Sequence, residues 1–305
     1  MTSGAPPRPF GSLLTAMVTP MKDEDGAVDV DAARALAAHL VDNGHDGIVL
    51  NGTTGEAPTT HAPEKAYLVR AVVEEVGDRA VVLAGAGSND TVHAVRMAEQ
   101  AAEAGAHGLL VVTPYYSRPS QEGIYQHTLA VADATDLPVM LYDVPARTAV
   151  RYAPQTLDRL AEHPNVVAVK DATADLPAAL RSIRRTGLAW YSGDDAFLLP
   201  FLSVGGSGLV SMTGHLAGRR LATVIEEFDR GEVRAATERF ADLMPLVDLI
   251  CSTGNGALRC KLTLSLLGLI PSAAMRLPQV PAAQDEVDAV RTILVAEGLL
   301  DTAEA

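Results

Sequence analysis

The chain has four lysines, Lys22, Lys65, Lys170 and Lys261, and only Lys170 closes a short β-branched run, Val166-Val167-Ala168-Val169-Lys170. Bounded by Pro164-Asn165 and by Asp171-Ala172-Thr173, the run reads as a buried parallel strand. Its last side chain leaves the sheet at the carboxyl end. Desolvation disfavours the charged form of an amine, which leaves it a neutral nucleophile near pH 7. Schiff-base chemistry on a keto acid requires such a group. A solvated strand-end lysine has the same local signature, so the neighbouring motifs must decide.

Other strand tips carry matching chemistry. In Asn51-Gly52-Thr53-Thr54-Gly55-Glu56, two glycines allow a tight turn that leaves hydroxyls and N–H groups facing a carboxylate. A phosphate loop fails because the Gly-Lys-Ser/Thr ending is missing; a plain Gly/Thr turn stays open. Three of the seven tyrosines, Tyr115, Tyr116 and Tyr142, sit at predicted strand ends. A phenol there can shuttle protons, although packing is the commoner use of tyrosine. Arg147 offers a planar fork for a carboxylate, and a surface arginine would look the same. Asp194 and Asp195 suit helix capping better than metal binding, since no histidine cluster accompanies them.

The elements that must position these groups follow from periodicity. Apolar runs at 13–19, 47–51, 81–85, 108–113, 139–142, 166–170, 189–192 and 208–211 read as strands. Helical spacing fills 30–43, 63–76, 90–104, 121–134, 154–162, 176–186, 196–204 and 217–230. Eight alternations imply a parallel sheet with right-handed crossovers. A doubly wound open sheet uses the same elements, but the count of eight favours a (β/α)8 TIM barrel with reactive groups at the strands' carboxyl ends. Beyond residue 231 strand signals stop. Residues 232–249, 256–267 and 281–297 read as helices, the last with Pro281 at its first position. The expected division is a catalytic barrel, 1–231, and a C-terminal helical domain, 232–305.

Bulk composition narrows the function classes. A formal net charge of −14 argues against nucleic-acid partners, whose phosphates it would repel. The hydrophobic fraction of 48% supports a sizeable core. Cys251 and Cys260 make no disulfide framework, and no CxxC or HExxH pattern suggests a metal. The Pro-rich start, residues 1–9, lacks the charged and apolar regions of a signal peptide, and no run reaches membrane-spanning length. A cytoplasmic protein is expected.

In order and spacing, Gly52-Thr53-Thr54-Gly55-Glu56, Thr113-Pro114-Tyr115-Tyr116, Tyr142-Asp143-Val144-Pro145-Ala146-Arg147, Lys170-Asp171-Ala172 and Ser192-Gly193-Asp194-Asp195 resemble the dihydrodipicolinate synthase/N-acetylneuraminate lyase family. The resemblance runs from about residue 11 to the C-terminus. Five ordered motifs make it specific. It implies a (β/α)8 barrel with a C-terminal helical domain, no metal or cofactor, and a lysine that forms a Schiff base with pyruvate. That lysine is Lys170, with Tyr142 as proton donor and acceptor. By the same resemblance, Thr54, Tyr142 and Tyr116 form a proton relay, Tyr116 reaching in from a neighbouring subunit of a homotetramer arranged as a dimer of dimers. Thr53 and Thr54 hold pyruvate's carboxylate, Gly193 and Val210 complete its pocket, and Arg147 holds the second substrate.

Sialic-acid lyases of the family usually read Gly-Ser-Thr-Gly-Glu and lack an arginine at position 147. Thr53, Arg147 and Tyr115-Tyr116-Ser117-Arg118-Pro119 resemble instead the synthases that condense pyruvate with L-aspartate 4-semialdehyde on the route to diaminopimelate and lysine. Asp143 and Asp171 depart from the asparagine and glutamate common there. A lyase or dehydratase for a sugar-derived 2-keto acid is the alternative enzyme, and a non-catalytic keto-acid sensor the alternative from another class. Many of these synthases are inhibited by lysine. At the matching positions this chain has Ala57, Pro58, Ala62, Lys65 and His93, with only Asn89 and Tyr115 retained, so insensitivity to lysine is expected.

Overall fold

The computed structural model describes residues 6–251 and 255–301. The first five residues of the Pro-rich start and the last four of the helical C-terminus lie outside that range. Eight parallel strands close into a barrel in sequence order, and the last pairs with the first. They are β1 (Leu13–Ala16), β2 (Gly47–Leu50), β3 (Val81–Gly85), β4 (Gly108–Val112), β5 (Val139–Asp143), β6 (Val166–Asp171), β7 (Ala189–Ser192) and β8 (Gly208–Ser211). Helices α1 (Val30–Asp42), α2 (Ala62–Val76), α3 (Thr91–Glu103), α4 (Gln121–Ala132), α5 (Pro145–Thr148) and α6 (Pro154–Leu160) lie between the first six strands. Then come α7 (Leu176–Thr186), α8 (Leu198–Ser203) and α9 (Gly214–Asp229), followed by α10 (Val233–Ala241), α11 (Met244–Cys251), α12 (Gly256–Leu266) and α13 (Gln284–Ala296). This is the (β/α)8 barrel with a C-terminal helical segment.

Both faces of the strands are buried, which is why they read as continuous apolar runs and not as alternation. Leu14, Val49, Leu83, Leu110, Met140 and Ala168 fill the interior. Leu13, Ile48, Val82, Leu109, Leu141 and Val169 face the helical layer. The barrel is therefore a packed core whose chemistry is confined to its rim. Phe10 plugs the opposite end; a Cβ at Gly108 would lie 3.0 Å from its ring.

Several expected boundaries shift. The strands end before Thr19, Asn51 and Thr113, while β5 and β6 each extend one residue further, to Asp143 and Asp171. The single helix expected over 232–249 is two, because Pro245 cannot continue α10: its ring would strike the carbonyl one turn back. Pro281 lies before α13, whose cap is Ala283 and whose first turn carries Asp285 and Glu286, favoured there by the helix dipole. In place of a helix over 196–204, a 3-10 turn at Asp195–Phe197 leads into α8. The short α5 was not foreseen; it ends at Ala149 in the left-handed region, φ 61°. Asp194 caps the 3-10 turn as expected, accepting from the Ala196 N–H, and Asp90 caps α3, accepting from the Val92 N–H; Asp195, expected as a cap, caps no helix and accepts from residues 211–213 instead.

The C-terminal segment returns to the β2 end of the barrel. Lys261 of α12, fully buried, donates to the Glu56 carboxylate and, at 2.7 Å, to the Ala274 carbonyl. Arg276 pairs with Glu64 and donates to Thr59 and Gly26 carbonyls, each at 2.8 Å. The guanidinium holds the Glu64 carboxyl down at about 2. Among the described residues, no helix is long and apolar enough to cross a membrane.

Candidate active site

Register puts Tyr142 of β5 beside Lys170 of β6, and Lys170 beside Tyr191 of β7. All three face the barrel interior or its rim, because residues two apart on a strand share a face and Ala168 is interior. The Lys170 Nζ lies 4.4 Å from the Tyr142 ring centroid, and each residue is 6% exposed. A lysine nitrogen over an aromatic face is held there by the ring quadrupole.

Gly193 leaves the lysine its room. A Cβ there would sit 3.1 Å from Lys170 Cε and 3.2 Å from the Asp171 carbonyl, and the Gly193 N–H donates to that carbonyl at 2.7 Å. Val210 of β8, 1% exposed, belongs to the same interior cluster as Tyr142. A cavity of about 480 Å³ opens beside this group, and Gly52, Thr53, Tyr115, Tyr142, Val144 and Arg147 contribute to its wall. Tyr142 is thus shared between the cavity and the lysine.

The structure brings Lys170, Tyr142, Gly193 and Val210 together, and it adds Thr53 and Arg147 across the cavity. Thr54 is buried and is no part of that wall, and neither are Lys170, Gly193 and Val210. Tyr116 stands apart: it is 90% exposed, its backbone is left-handed at φ 73°, and it lies outside the cavity.

Two supports were missed in the sequence. The first is Glu56, whose second oxygen also accepts the Arg276 N–H at 3.2 Å, so the Gly-Thr-Thr-Gly-Glu turn is anchored from α12 and beyond. Lys261, placed with Arg259 among the apolar residues of Leu258–Leu264 in α12, was the available signal. The second is Asp195, which accepts from the Ser211 hydroxyl and from the Met212 and Thr213 N–H groups at 3.0 and 3.1 Å, joining the ends of β7 and β8. Burial pushes the Cys251 and Cys260 thiols up, with Asp195 adding to the effect, so both remain protonated. Burial also lowers His45 and His215 to about 4, leaving them neutral. Among the described residues, no three His, Cys, Asp or Glu side chains are arranged to hold a metal.

Comparison with known proteins decides the family. Residues 9–297 match the dihydrodipicolinate synthetase family. The chain belongs to the dihydrodipicolinate synthetase family. It is 50% identical to 4-hydroxy-tetrahydrodipicolinate synthase 2 of Streptomyces coelicolor over 297 residues, 97% of this chain and 98% of the relative. It is 52% identical to the 4-hydroxy-tetrahydrodipicolinate synthase of Corynebacterium aurimucosum, with 98% and 99% covered. Among solved structures, the lysine-bound enzyme of Cyanidioschyzon merolae superposes with a TM-score of 0.91 at 40% identity, covering 95% of this chain and 99% of that one. The barrel of the solved family members is therefore present here.

Proposed function

We propose that this chain condenses pyruvate with L-aspartate 4-semialdehyde to 4-hydroxy-tetrahydrodipicolinate, in diaminopimelate and lysine biosynthesis. The observation that carries the reading is the buried Lys170 amine against the Tyr142 ring at a barrel mouth, in a chain half-identical to curated synthases. The Lys170 amine adds to the pyruvate keto carbon and water leaves, giving an imine. The imine acidifies the methyl group, and loss of a proton yields an enamine whose carbon attacks the aldehyde; the semialdehyde's own amino group then adds to the imine carbon and displaces the Lys170 amine, closing the ring. Tyr142 moves the protons.

We infer a relay hydroxyl different from the Thr54 that the family resemblance implies. A hydroxyl that passes protons to Tyr142 must reach the cavity that Tyr142 lines. Thr53 does, whereas Thr54 is buried behind it. We therefore assign the relay hydroxyl to Thr53 and leave Thr54, with the turn's N–H groups, to the pyruvate carboxylate. Arg147 orients the second carboxylate, which turns a bimolecular step into an oriented one. The working assembly in this reading is a cytoplasmic homotetramer, with 1–231 as catalytic barrel and 232–305 as helical domain.

The test is a coupled assay of pyruvate with aspartate semialdehyde beside N-acetylneuraminate and 2-keto-3-deoxy sugar acids. Turnover of the semialdehyde alone is expected; turnover of a sugar acid alone would overturn the reading. Arg147→Ala should impair use of the semialdehyde much more than imine formation with pyruvate. Equal loss of both steps would make Arg147 structural.

Tyr116→Phe is expected to reduce turnover by roughly 10²-fold, the scale of a lost acid/base contact. Its exposure in the single chain motivates a complementation assay. Mixing Tyr116→Phe with Lys170→Ala protein should restore activity after subunit exchange, and exchange without recovery would place the relay within one chain.

No inhibition by physiological lysine is expected. Lys65 and His93 line the same cavity as Ala57, Pro58 and Ala62, and Lys65 Nζ donates to the Ala57 carbonyl at 2.8 Å. A cation there opposes the ammonium groups of lysine by on the order of a few kcal/mol. Half-inhibition below about millimolar lysine would refute this.

A further inference from the structure

The residues that follow Tyr142 and Lys170 point the other way, out through the barrel wall. Asp143 and Asp171 are register partners across β5 and β6, each 5% exposed, and both line a second cavity of about 420 Å³ under α6 and α7. Adjacent strands lie only about 4.8 Å apart, so two ionised carboxylates there repel strongly. Thr173 N–H donates to Asp171 Oδ1 at 2.8 Å, which favours the ionised form of that partner. Asp143 Oδ1 is buried without a hydrogen-bond partner among the described residues.

We propose that Asp143 and Asp171 share one proton, the Asp143 carboxylic acid donating to the Asp171 carboxylate, and that this bond fixes the spacing of β5 and β6 behind Tyr142 and Lys170. Both are positioning residues, and the inference rests on the roles proposed for Tyr142 and Lys170. The shared proton explains how two buried acids sit side by side when the neighbouring Arg151 charge only partly offsets theirs. The charged and titratable groups facing the pair are Arg151 and Tyr152 ahead of α6, and Asp175 and Arg181 of the α7 segment. Arg151 is committed to Asp175 at 3.5 Å.

Burial first, then the Asp171 charge, pushes Asp143 up to about 7 from its ordinary 3.8, with the Arg151 charge and a Tyr152 backbone hydrogen bond opposing the rise. Asp171 is raised too, by burial, with the Thr173 N–H opposing the rise. The folded chain therefore binds more protons than the unfolded chain between about pH 4 and 7. Stability falls as pH rises through that window, and the bond between the strands is lost above it.

Isotope-edited infrared spectra and melting curves of the full-length protein test this, using Asp143→Asn and Asp143→Ala. Asparagine keeps an N–H donor for Asp171 and carries no charge. At pH 6 the wild type should show a protonated-carboxyl band that Asp143→Asn lacks and that fades above pH 7. The melting advantage of Asp143→Asn over wild type should grow from pH 6 to pH 8. At pH 6 Asp143→Ala should lose about tenfold in kcat with KM for pyruvate little changed, and Asp143→Asn should rescue it. Absence of the band, or a melting difference independent of pH, would overturn the shared proton. If Asp143→Ala does not fold, the band and the asparagine variant still decide. Neither readout depends on imine chemistry, so a failed assignment of Lys170 would be seen separately by adduct mapping.

Discussion

Pyruvate plus borohydride is expected to inactivate the enzyme irreversibly, leaving a reduced secondary-amine adduct on Lys170. The four lysines differ in ways that make the outcome specific. Lys22 is exposed, Lys65 donates to a backbone carbonyl, and Lys261 is fully buried and committed to Glu56. Lys170 alone combines burial with a place at the rim beside Tyr142. Removing a covalent nucleophile by Lys170→Ala should lower turnover by on the order of 10⁴-fold or more. Mass spectrometry of the digested protein reads the site directly. An adduct on Lys22, Lys65 or Lys261, or none at all, would sink the imine mechanism.

The second large effect concerns stability. Glu56→Ala leaves the Lys261 ammonium uncompensated in the core and removes an acceptor from the Arg276 N–H. Breaking one partner of a buried pair costs about 3–5 kcal/mol, whereas apolar replacement of both is often close to neutral. Chemical denaturation should therefore show a large loss for Glu56→Ala, much of it recovered in Glu56→Leu combined with Lys261→Met. The recovered double variant is expected to remain poorly active, because the turn carrying Thr53 and Thr54 has lost its anchor. A single variant within about 1 kcal/mol of wild type would show that the pair contributes little.

The barrel was legible because its strands are buried on both faces, so each appears as a short apolar run between helical patterns. The rim was legible for the same reason: polar residues mark where each apolar run gives out, as Lys170 and Tyr142 do one residue before their strands end. What stayed hidden depended on contacts remote in sequence. Nothing near Glu56 announces Lys261, and nothing near Asp195 announces the N–H groups of Met212 and Thr213. Local pattern also misjudged the helical end, where Pro245 splits one expected helix and Pro281 precedes another without entering it. Thr53 and Thr54 carry the same side chain at adjacent positions, so sequence alone could not foresee that Thr53 lines the cavity and Thr54 is buried.

The Glu56–Lys261 contact spans 205 residues of chain. Synthesis proceeds from the N-terminus, so the first functional turn is among the earliest segments made, and its tether is among the latest. All eight strands leave the ribosome before α12 does. A barrel closed at that stage still lacks the tether that sets its Gly-Thr-Thr-Gly-Glu turn. A chain cut ahead of α12 is therefore expected to lack the anchor of this turn and to turn over substrate poorly.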